Sequence, residues 1–174
     1  MAEKCDLTGR GALVTGASRG IGKAVAEMLA AQGAQVAVHY GVDEQAATKV
    51  VEGLEGEGHV MLDADLGDPE QAARLPWRAA QVLDSLDIVV NNAGIYVTHD
   101  ITQVDPEHWR EYWDRTIAIN LSGPAHLLHG AVPHLEAAGG GHIINITSRG
   151  AFRGEPEAPA YGASKAGLNS LSQS

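Results

Sequence analysis

The sequence of 174 residues has a single cysteine, and its basic residues are outnumbered by acidic ones. The lone Cys5 excludes an intramolecular disulfide, so the stability of the protein does not depend on an oxidising compartment. There are 12 lysines and arginines against 22 aspartates and glutamates, a net charge of −10, and neither end carries a basic run. A protein that binds nucleic acid through the phosphate backbone needs clustered basic residues, so this class is disfavoured.

Long apolar runs are also missing. The first ten residues lack the apolar core of a signal sequence, and no window approaches the roughly 18 apolar residues that a membrane span requires. We therefore expect a cytoplasmic protein with neither a membrane nor a nucleic acid as its partner. Only 5% of the residues are aromatic whereas 21 are glycine, which favours helices packed closely on a sheet over a β-sandwich.

Short apolar runs alternate with segments of helical periodicity along the chain. The runs are mostly continuous, as expected for parallel strands that are covered on both faces. The predicted strands are residues 12–15, 35–40, 59–63, 87–91 and 142–147. The predicted helical stripes are Ile21, Val25 and Leu29; Ala46, Val50 and Leu54; and Trp109, Trp113 and Ile117. Such strand–helix–strand units require a parallel sheet with right-handed crossovers, so we predict one α/β domain over residues 1–174.

Several residues mark the ends of the helices. Asp43 and Asp68 are predicted N-caps, Gly33 a helix stop, and Pro76 a break or kink unless it opens its helix. The last predicted helix starts near Ala160 and reaches the end of the sequence without a terminating glycine or proline. We therefore expect the chain to be incomplete at its C-terminus, with the last strands of the sheet missing. The three tryptophans are expected in the core or an interface.

A glycine-rich segment follows the first predicted strand and leads into a helix. It reads Thr15-Gly16-Ala17-Ser18-Arg19-Gly20-Ile21-Gly22, with the spacing G-x-x-x-G-x-G in place of the better known G-x-G-x-x-G. Residues without a Cβ let backbone N–H groups approach a pyrophosphate at the positive end of the helix. The segment is therefore a candidate dinucleotide loop, and the alternative is a structural turn.

Further motifs follow in order along the chain. Asn91-Asn92-Ala93-Gly94 follows the fourth strand, Asn120 lies in the next long helix, and Ser148 ends the fifth strand, 13 residues before Tyr161. Tyr161 and Lys165 form a Y-x-x-x-K motif. Together with the glycine loop, these motifs make the sequence resemble the short-chain dehydrogenase/reductase family, in particular its members similar to 3-oxoacyl-carrier-protein reductases.

The resemblance implies a doubly wound, Rossmann-like parallel sheet with strand order 3-2-1-4-5 and helices on both faces, which binds NAD or NADP across the strand ends. The residues that it implies at the cofactor are Gly16, Ser18, Arg19, Gly20, Ile21, Gly22, Asp65, Leu66, Asn91, Ala93, Gly94, Tyr161 and Lys165. Alternatively, Asp65 caps the following helix and Asn91-Asn92 only forms a turn. A homodimer or homotetramer is implied in the same way.

The end of the second strand bears on the choice of cofactor. An acidic residue there favours NAD, because it accepts from the ribose 2′-hydroxyl and repels a 2′-phosphate. Here the strand ends His39-Tyr40-Gly41, and the nearby Asp43 is assigned to a helix cap. Arg19, immediately before Gly20, is a cation where a 2′-phosphate would lie, and NADP-preferring members of the family resemble this pattern. We therefore expect NADP and leave NAD open. His39 either assists in its protonated form or is simply packed or solvated.

Tyr161 and Lys165 are four residues apart, on one face of a helix. A neighbouring ammonium favours the phenolate form of a tyrosine, which then exchanges a proton with a substrate oxygen while hydride moves to or from the nicotinamide. The resemblance implies that Ser148 holds the substrate carbonyl and that Asn120 keeps a water linking Lys165 to solvent. The expected reaction interconverts a ketone and a secondary alcohol, with a small ketone or an acyl thioester as substrate.

Three alternatives concern a metal site, the function and the tyrosine–lysine pair. His126 and His129 lie three residues apart on a helix, but no third ligand occurs at a suitable spacing, so we expect no metal site. The second hypothesis for the function is a truncated module that binds a dinucleotide without turnover, because the expected truncation removes a wall of the nicotinamide half of the cleft. For the tyrosine–lysine pair, the alternative is an exposed pair of helix neighbours.

Overall fold

The computed structural model describes residues 5–174; residues 1–4, at the start of the segment considered above for a signal sequence, lie outside the described range. The strands are β1 Gly11–Val14, β2 Gln35–Tyr40, β3 Val60–Asp63, β4 Ile88–Asn91 and β5 His142–Asn145. They form a parallel sheet in the order β3-β2-β1-β4-β5. The predicted strands, the parallel sheet and the strand order that the resemblance implied are therefore confirmed.

Helices connect the strands and cover both faces of the sheet. They are α1 Gly20–Ala31, α2 Glu44–Gly53, α3 Pro69–Val82, α4 Pro106–Ile117, α5 Gly123–Ala137, α6 Gly150–Arg153 and α7 Pro159–Leu171. A π-helical turn, Ala118–Ser122, joins α4 to α5. Helix α7 packs against α4, against the π-helical turn and against α6.

The side chains of β1 show why the apolar runs are continuous. Leu13 points into a core cluster that includes Leu75 of α3 and Leu127 of α5. Val14 points the other way, into a cluster that includes Ala26 of α1 and residues of α2. Because both faces of the central strand are covered by helices, alternation between polar and apolar residues is absent.

Local capping explains where the helices begin and end. Asp43 accepts from the N–H of Ala46 at 2.9 Å, and Asp68 caps α3 in the same manner. Gly33 follows α1 with a φ of +97°, a conformation that suits glycine. These three predictions are confirmed. Asp105, which the sequence analysis did not single out, caps α4 through the N–H groups of its first turn.

At its start, the buried face of α1 differs from the predicted stripe, whose other two residues are partly buried against the core. Ile21 is 63% exposed, and the buried residues of the helix are Gly22, Ala26 and Ala30. Small side chains let the helix axis approach the sheet closely, so the large apolar residue at the start of the helix is left outside the contact.

Helix α3 also departs from expectation, because it runs from Pro69 to Val82 through Pro76 without a break. The predicted break is therefore wrong. Pro76 costs one backbone hydrogen bond, but it is buried together with Leu75 and Ala79 on the face that packs against α5. Tertiary packing thus outweighs the local preference. Trp77, expected in the core or an interface, is 49% exposed.

The contact between α3 and α5 leads to a stability prediction. A Cβ built on Gly130 of α5 would overlap the carbonyl oxygen of Ala73 in α3. We expect Gly130→Ala to lower the free energy of unfolding by about 2 kcal/mol, because the helices must move apart. The matched control is Gly53→Ala in α2, where a Cβ meets no atom within 4 Å. That variant should keep the wild-type value or gain up to about 1 kcal/mol. Urea titration measures both, and equal effects would contradict the packing explanation.

Candidate functional site

A cavity of about 540 Å³ opens where the strands end, on the side of their carboxyl termini. β1 and β4 lie side by side in the sheet although their connections run in opposite directions, which is where α/β sheets bind their ligands. The volume lies within the range of about 300–1,000 Å³ that is usual for ligand sites. The predicted cofactor residues that line it are Gly16, Ser18, Arg19, Asp65, Leu66, Ala93 and Gly94.

The glycines of the loop have separate physical roles. Gly16 and Gly20 adopt positive φ angles of +61° and +57°. A Cβ on Gly22 would lie 2.5 Å from the carbonyl oxygen of Gly16 and would also overlap the side chain of Asn92. The first two glycines therefore allow the turn, and the third allows α1 to begin directly against the loop.

The first turn of α1 presents backbone N–H groups that have no partner within the helix. Arg19 is the N-cap residue and makes no capping hydrogen bond through its side chain. The first turn of a helix carries backbone N–H groups without intrahelical partners and a partial positive charge. Gly20 and Ile21 are both exposed, so the start of this turn faces solvent. The loop and the helix start thus fit the pyrophosphate of a dinucleotide.

The segment after β4 is tied to the end of β1 by a set of hydrogen bonds that the sequence analysis missed. The hydroxyl of Thr15 accepts from the N–H groups of Asn92 and Ala93, both at 3.0 Å. The side-chain amide of Asn92 donates to the carbonyl oxygens of Thr15 at 2.8 Å and Gly16 at 3.1 Å. The only sequence signal for this tie is that both polar residues directly follow an apolar strand.

His39, near the end of β2, bridges two sides of the cavity. Its ring is 2% exposed, and its Nδ1 accepts from the N–H of Gly16 at 3.0 Å. Its Nε2 lies 3.1 Å from the carbonyl oxygen of Ala64, so Nε2 carries the proton and donates it. Burial lowers the pKa of His39 to about 4. The ring is therefore packed and neutral at neutral pH, and the hypothesis that it contributes a positive charge there is wrong.

The other charges around the cavity are distributed unevenly. Asp65 accepts from Arg115 of α4 through both carboxylate oxygens, at 3.0 and 3.1 Å. It does not cap α3, because Asp68 does, so that alternative for Asp65 is wrong. Asp43 lines the cavity but is engaged as the cap of α2. Arg19 forms no ion pair with a carboxylate within residues 5–174.

Tyr161 and Lys165 lie on α7. The Nζ atom of Lys165 is 5.8 Å from the centre of the Tyr161 ring and donates to the carbonyl oxygen of Ile146 at 2.8 Å. Lys165 is 4% exposed, so the alternative of an exposed pair does not hold. Burial lowers the pKa of Lys165. Ser148 precedes α6, which packs against α7, and its Oγ accepts from the N–H of Gly150 at 3.1 Å.

Asn120 lies in the π-helical turn and is completely buried. Its Oδ1 accepts from the N–H of Ile95 at 2.8 Å, and its Nδ2 donates to the carbonyl oxygen of Ile95 at 2.9 Å. A Cβ on the preceding Gly94 would lie 3.3 Å from Asn120 Oδ1 and 3.6 Å from Lys165 Nζ. Gly94 lines the cavity and also lies next to Lys165 of α7. Only this residue, which has no side chain, therefore stands between the cavity and the Lys165 ammonium.

Some predicted cofactor residues lie outside the cavity lining; these are Gly20, Ile21, Gly22, Asn91, Tyr161 and Lys165. Asn91 ends β4 and is 2% exposed. Its Nδ2 donates to Asn145 of β5 at 2.8 Å, while its Oδ1 has no hydrogen-bond partner. Cavity-lining residues that were not among the predicted cofactor residues include Gly41, Val42, Asn92, Ile95 and Arg115.

Within residues 5–174, no three or more histidine, cysteine, aspartate or glutamate side chains come together in a way that suits a metal ion, His126 and His129 included. None of the helices described above is both long and apolar enough to span a membrane.

Known proteins resemble this chain in sequence and in structure. It is 36% identical over 173 residues to versicolorin reductase 1 from Aspergillus parasiticus, which covers 98% of this chain and 64% of that protein. It is 34% identical over 167 residues to a 3-oxoacyl-[acyl-carrier-protein] reductase from Staphylococcus aureus, covering 95% of this chain and 66% of that protein. The chain thus spans about two thirds of the length of these curated relatives.

A crystal structure of a 3-oxoacyl (acyl-carrier-protein) reductase from Agrobacterium tumefaciens C58 with NADP bound matches the fold. The TM-score is 0.84 at 32% identity, over 97% of this chain and 64% of that one. The family model for short chain dehydrogenases matches residues 10–174, a range that holds the glycine loop, residues 91–94, Asn120, Ser148 and the Tyr161–Lys165 pair. With this match over nearly the whole chain, together with the sheet order and the cavity at its switch point, the chain belongs to the short chain dehydrogenase family.

Proposed function

We propose that this chain is the cofactor-binding and catalytic part of an NADP(H)-dependent oxidoreductase that interconverts a ketone and a secondary alcohol. In this proposal residues 1–174 are one dinucleotide-binding domain. The observation that carries the proposal is the position of Gly94, which lines the cavity and lies beside both Asn120 and Lys165. A nicotinamide dinucleotide that extends along the cavity from the glycine loop would therefore reach the Tyr161–Lys165 pair.

The proposed cofactor contacts follow from the chemistry of the lining. The N–H groups at Gly20, Ile21 and Gly22 would hold the pyrophosphate, for which the uncapped helix start is suited. Asp65 would lie near the adenine, with its position fixed by Arg115. Asn91, Ala93 and Gly94 would form the wall against the nicotinamide half. When bound, the nicotinamide ring supplies or accepts the hydride.

The preference for NADP rests on the charges around the ribose end of the cavity. Arg19 has no carboxylate partner within the described residues, so its guanidinium is available to a 2′-phosphate. His39 is neutral and adds no charge. Asp43 is engaged as the N-cap of α2, where its carboxylate accepts from the N–H of Ala46. The reductase from Agrobacterium tumefaciens was crystallised with NADP, which agrees with this preference.

The proposed proton transfer involves four side chains. Tyr161 would give a proton to the substrate oxygen, or take it in the reverse direction, and Ser148 would donate a hydrogen bond to the same oxygen. Lys165 supplies a positive charge beside the phenol, 5.8 Å from the ring centre. Asn120 would hold a water that connects Lys165 to solvent, besides fixing Ile95. Tyr161 and Lys165 would also contact the cofactor.

The substrate proposed is a small ketone or a 3-oxoacyl thioester. It is supported by the identity to a 3-oxoacyl-[acyl-carrier-protein] reductase, a name that describes that relative. A homodimer or homotetramer remains a prediction of the family resemblance.

Replacing the proposed proton donor tests the reaction. We expect Tyr161→Phe to lower kcat for NADPH oxidation with acetoacetyl thioesters by at least about 100-fold, because a general acid is lost. The affinity for NADPH, measured by its fluorescence in a titration, should stay within about threefold of wild type, because a phenyl ring keeps most contacts. Equal turnover by both proteins would contradict the assignment of Tyr161. Binding of NADPH by a wild-type chain that turns over no ketone would favour the binding module.

The choice of cofactor is tested at Arg19. We expect Arg19→Ala to weaken binding of adenosine 2′,5′-bisphosphate about tenfold, because one guanidinium–phosphate contact is lost, and to leave binding of 5′-AMP unchanged. Arg74→Ala, which removes an exposed arginine of α3, is the matched control. Calorimetric titration of both nucleotides gives the ratio. A ratio that is the same in all three proteins would contradict the role of Arg19.

The neutral state of His39 predicts a pH dependence of stability. The pKa of His39 is about 4 in the folded protein against 6.5 for an ordinary histidine. Between these values the unfolded chain binds a proton that the folded chain does not, so stability falls as the pH is lowered. From pH 7 to 4.5 the loss linked to this ring is about 2 kcal/mol.

His39→Gln should remove this part of the pH dependence, because glutamine does not titrate. The expected result is a free energy of unfolding that falls by about 2 kcal/mol less than in wild type over the same pH range. His129→Gln, at an exposed position of α5, should keep the wild-type slope. Urea titrations at several pH values measure the slopes. The same slope in wild type and His39→Gln would show that the ring is not held neutral.

A further inference from the structure

A second buried histidine lies on the other side of the candidate site. His99 belongs to the segment between β4 and α4, is 2% exposed, and has ring contacts with Trp109 and Tyr112 of α4 at centre distances of 5.4 and 6.3 Å. Its backbone N–H donates to the carbonyl oxygen of Glu157 at 2.7 Å. The segment is thus joined to the residues that immediately precede α7, the helix of Tyr161 and Lys165.

The hydrogen bonds of the His99 ring define one tautomer. The N–H of Ala160 donates to Nε2 at 3.3 Å, and a backbone N–H can only donate, so Nε2 carries no proton. Nδ1 then carries the proton and donates it to the carbonyl oxygen of Val97 at 2.8 Å. The ring therefore meets one backbone donor and one backbone acceptor, which only the neutral Nδ1–H form does.

The partner of Nε2 is a donor at the start of α7. Ala158, the N-cap of this helix, has no side chain that can cap it. The N–H of Ala160 is one of the orphan donors of the first turn, and His99 satisfies it from a distance of 61 residues along the chain. Ala160 directly precedes Tyr161, so the ring of His99 fixes the backbone at the proposed proton donor.

Residues 95–99, a part of the segment between β4 and α4, are held at both ends. Asn120 binds the N–H and the carbonyl of Ile95, and His99 binds Ala160 and Glu157. Between these anchors lies Tyr96, whose ring packs edge-on against Tyr161 with a centre distance of 5.0 Å and is 52% exposed. The two anchors therefore set where Tyr96 stands against the phenol of Tyr161.

We infer that His99 is a positioning residue, which holds the start of the Tyr161 helix and keeps Tyr96 against Tyr161 through its bonds to Ala160 and Val97. This inference rests on the proposed function for its effect on turnover. Its structural part, the bond between Nε2 and the start of α7, is independent of any activity.

Two variants separate hydrogen bonding from space filling. His99→Gln places an amide oxygen within reach of the Ala160 N–H but lacks a ring. His99→Phe keeps a ring against Trp109 and Tyr112 but accepts no hydrogen bond. His126→Gln, at an exposed position of α5, is the matched control.

The structural part is measured by NMR on the wild-type protein and on the variants. We expect the ring ¹⁵N spectrum of His99 to show protonation at Nδ1 and the amide hydrogen of Ala160 to exchange about tenfold faster in His99→Phe than in wild type, since one hydrogen bond is lost. His99→Gln and His126→Gln should stay within about threefold of wild type. The amide of Ile95, which Asn120 holds, should be unaffected in all variants.

The kinetic part compares kcat and KM for NADPH-dependent ketone reduction. We expect kcat to fall about tenfold in His99→Phe and to recover in His99→Gln, with the KM for NADPH unchanged, because His99 makes none of the proposed cofactor contacts and does not line the cavity. A spectrum with the proton on Nε2, or full protection of Ala160 in His99→Phe, would overturn the inference. So would a kcat that His99→Phe retains and His99→Gln loses, since space filling alone would then account for the ring.

The two proposals fail in different ways. A wild-type protein without turnover contradicts the proposed function, and the NMR measurements still decide the role of His99. If His99→Phe does not fold, the tautomer of His99 in the wild-type protein and the exchange of Ala160 in His99→Gln decide it. An Nδ1–H ring with a protected Ala160 amide in His99→Gln supports the inference, and the opposite pair of results overturns it.

Discussion

The hydrogen bonds between the ends of β1 and β4 are the constraint on which the site depends. At this point the chain leaves the sheet in two directions, and the backbone groups beyond the last ladder bonds need other partners. Thr15 and Asn92 provide these partners for each other's segments. The segments are pulled so close that a Cβ on Gly16 would lie 2.9 Å from Ala93 Cα. The cavity opens directly outside these hydrogen bonds. They also place Gly94, two residues after Asn92, next to Lys165.

The charged side chains in and next to the cavity differ in how they are compensated. Asp65 and Arg115, each about half exposed, pair with each other at one edge. Lys165 is almost completely buried, and the only hydrogen bond found for its ammonium in residues 5–174 goes to the carbonyl of Ile146. Removing a charge from water without an opposite charge is costly, and such groups concentrate at functional sites. The buried cation beside Tyr161 therefore lowers the stability of the fold, whereas the half-exposed Asp65–Arg115 pair changes the stability little.

Much of the fold was predictable because the signals are local. The strands, the caps at Asp43 and Asp68 and the stop at Gly33 depend on residues within a few positions of one another. The strand order came from the family resemblance, and periodicity gave only the parallel sheet. Ile21 and Pro76 were misjudged because the packing of α1 and α3 on distant elements decides their environment. A pattern within one helix does not contain that information.

The candidate site was predictable where the residues carry the chemistry and not where they support it. The glycine loop and the Tyr161–Lys165 pair are recognisable as motifs, and the structure places Gly16 against Ala93 and Lys165 beside Gly94. The hydrogen bonds of Thr15 and Asn92, which are named above only as parts of motifs, were missed because a polar residue after a strand has many possible partners in sequence. Arg115 of α4 was missed as well. Arg115 meets Asp65 across 50 residues, a distance over which spacing gives no guide.

The two buried histidines show how such distant supports are built. His39 joins the glycine loop to the end of β3, and His99 joins the segment after β4 to the start of α7. In each ring one nitrogen accepts from a backbone N–H and the other donates to a backbone carbonyl, but the proton is on Nε2 in His39 and on Nδ1 in His99. A carboxylate would leave the carbonyl unpaired and an ammonium would leave the N–H unpaired. A neutral imidazole satisfies both, so it can link two loops that the ladder of the sheet does not reach.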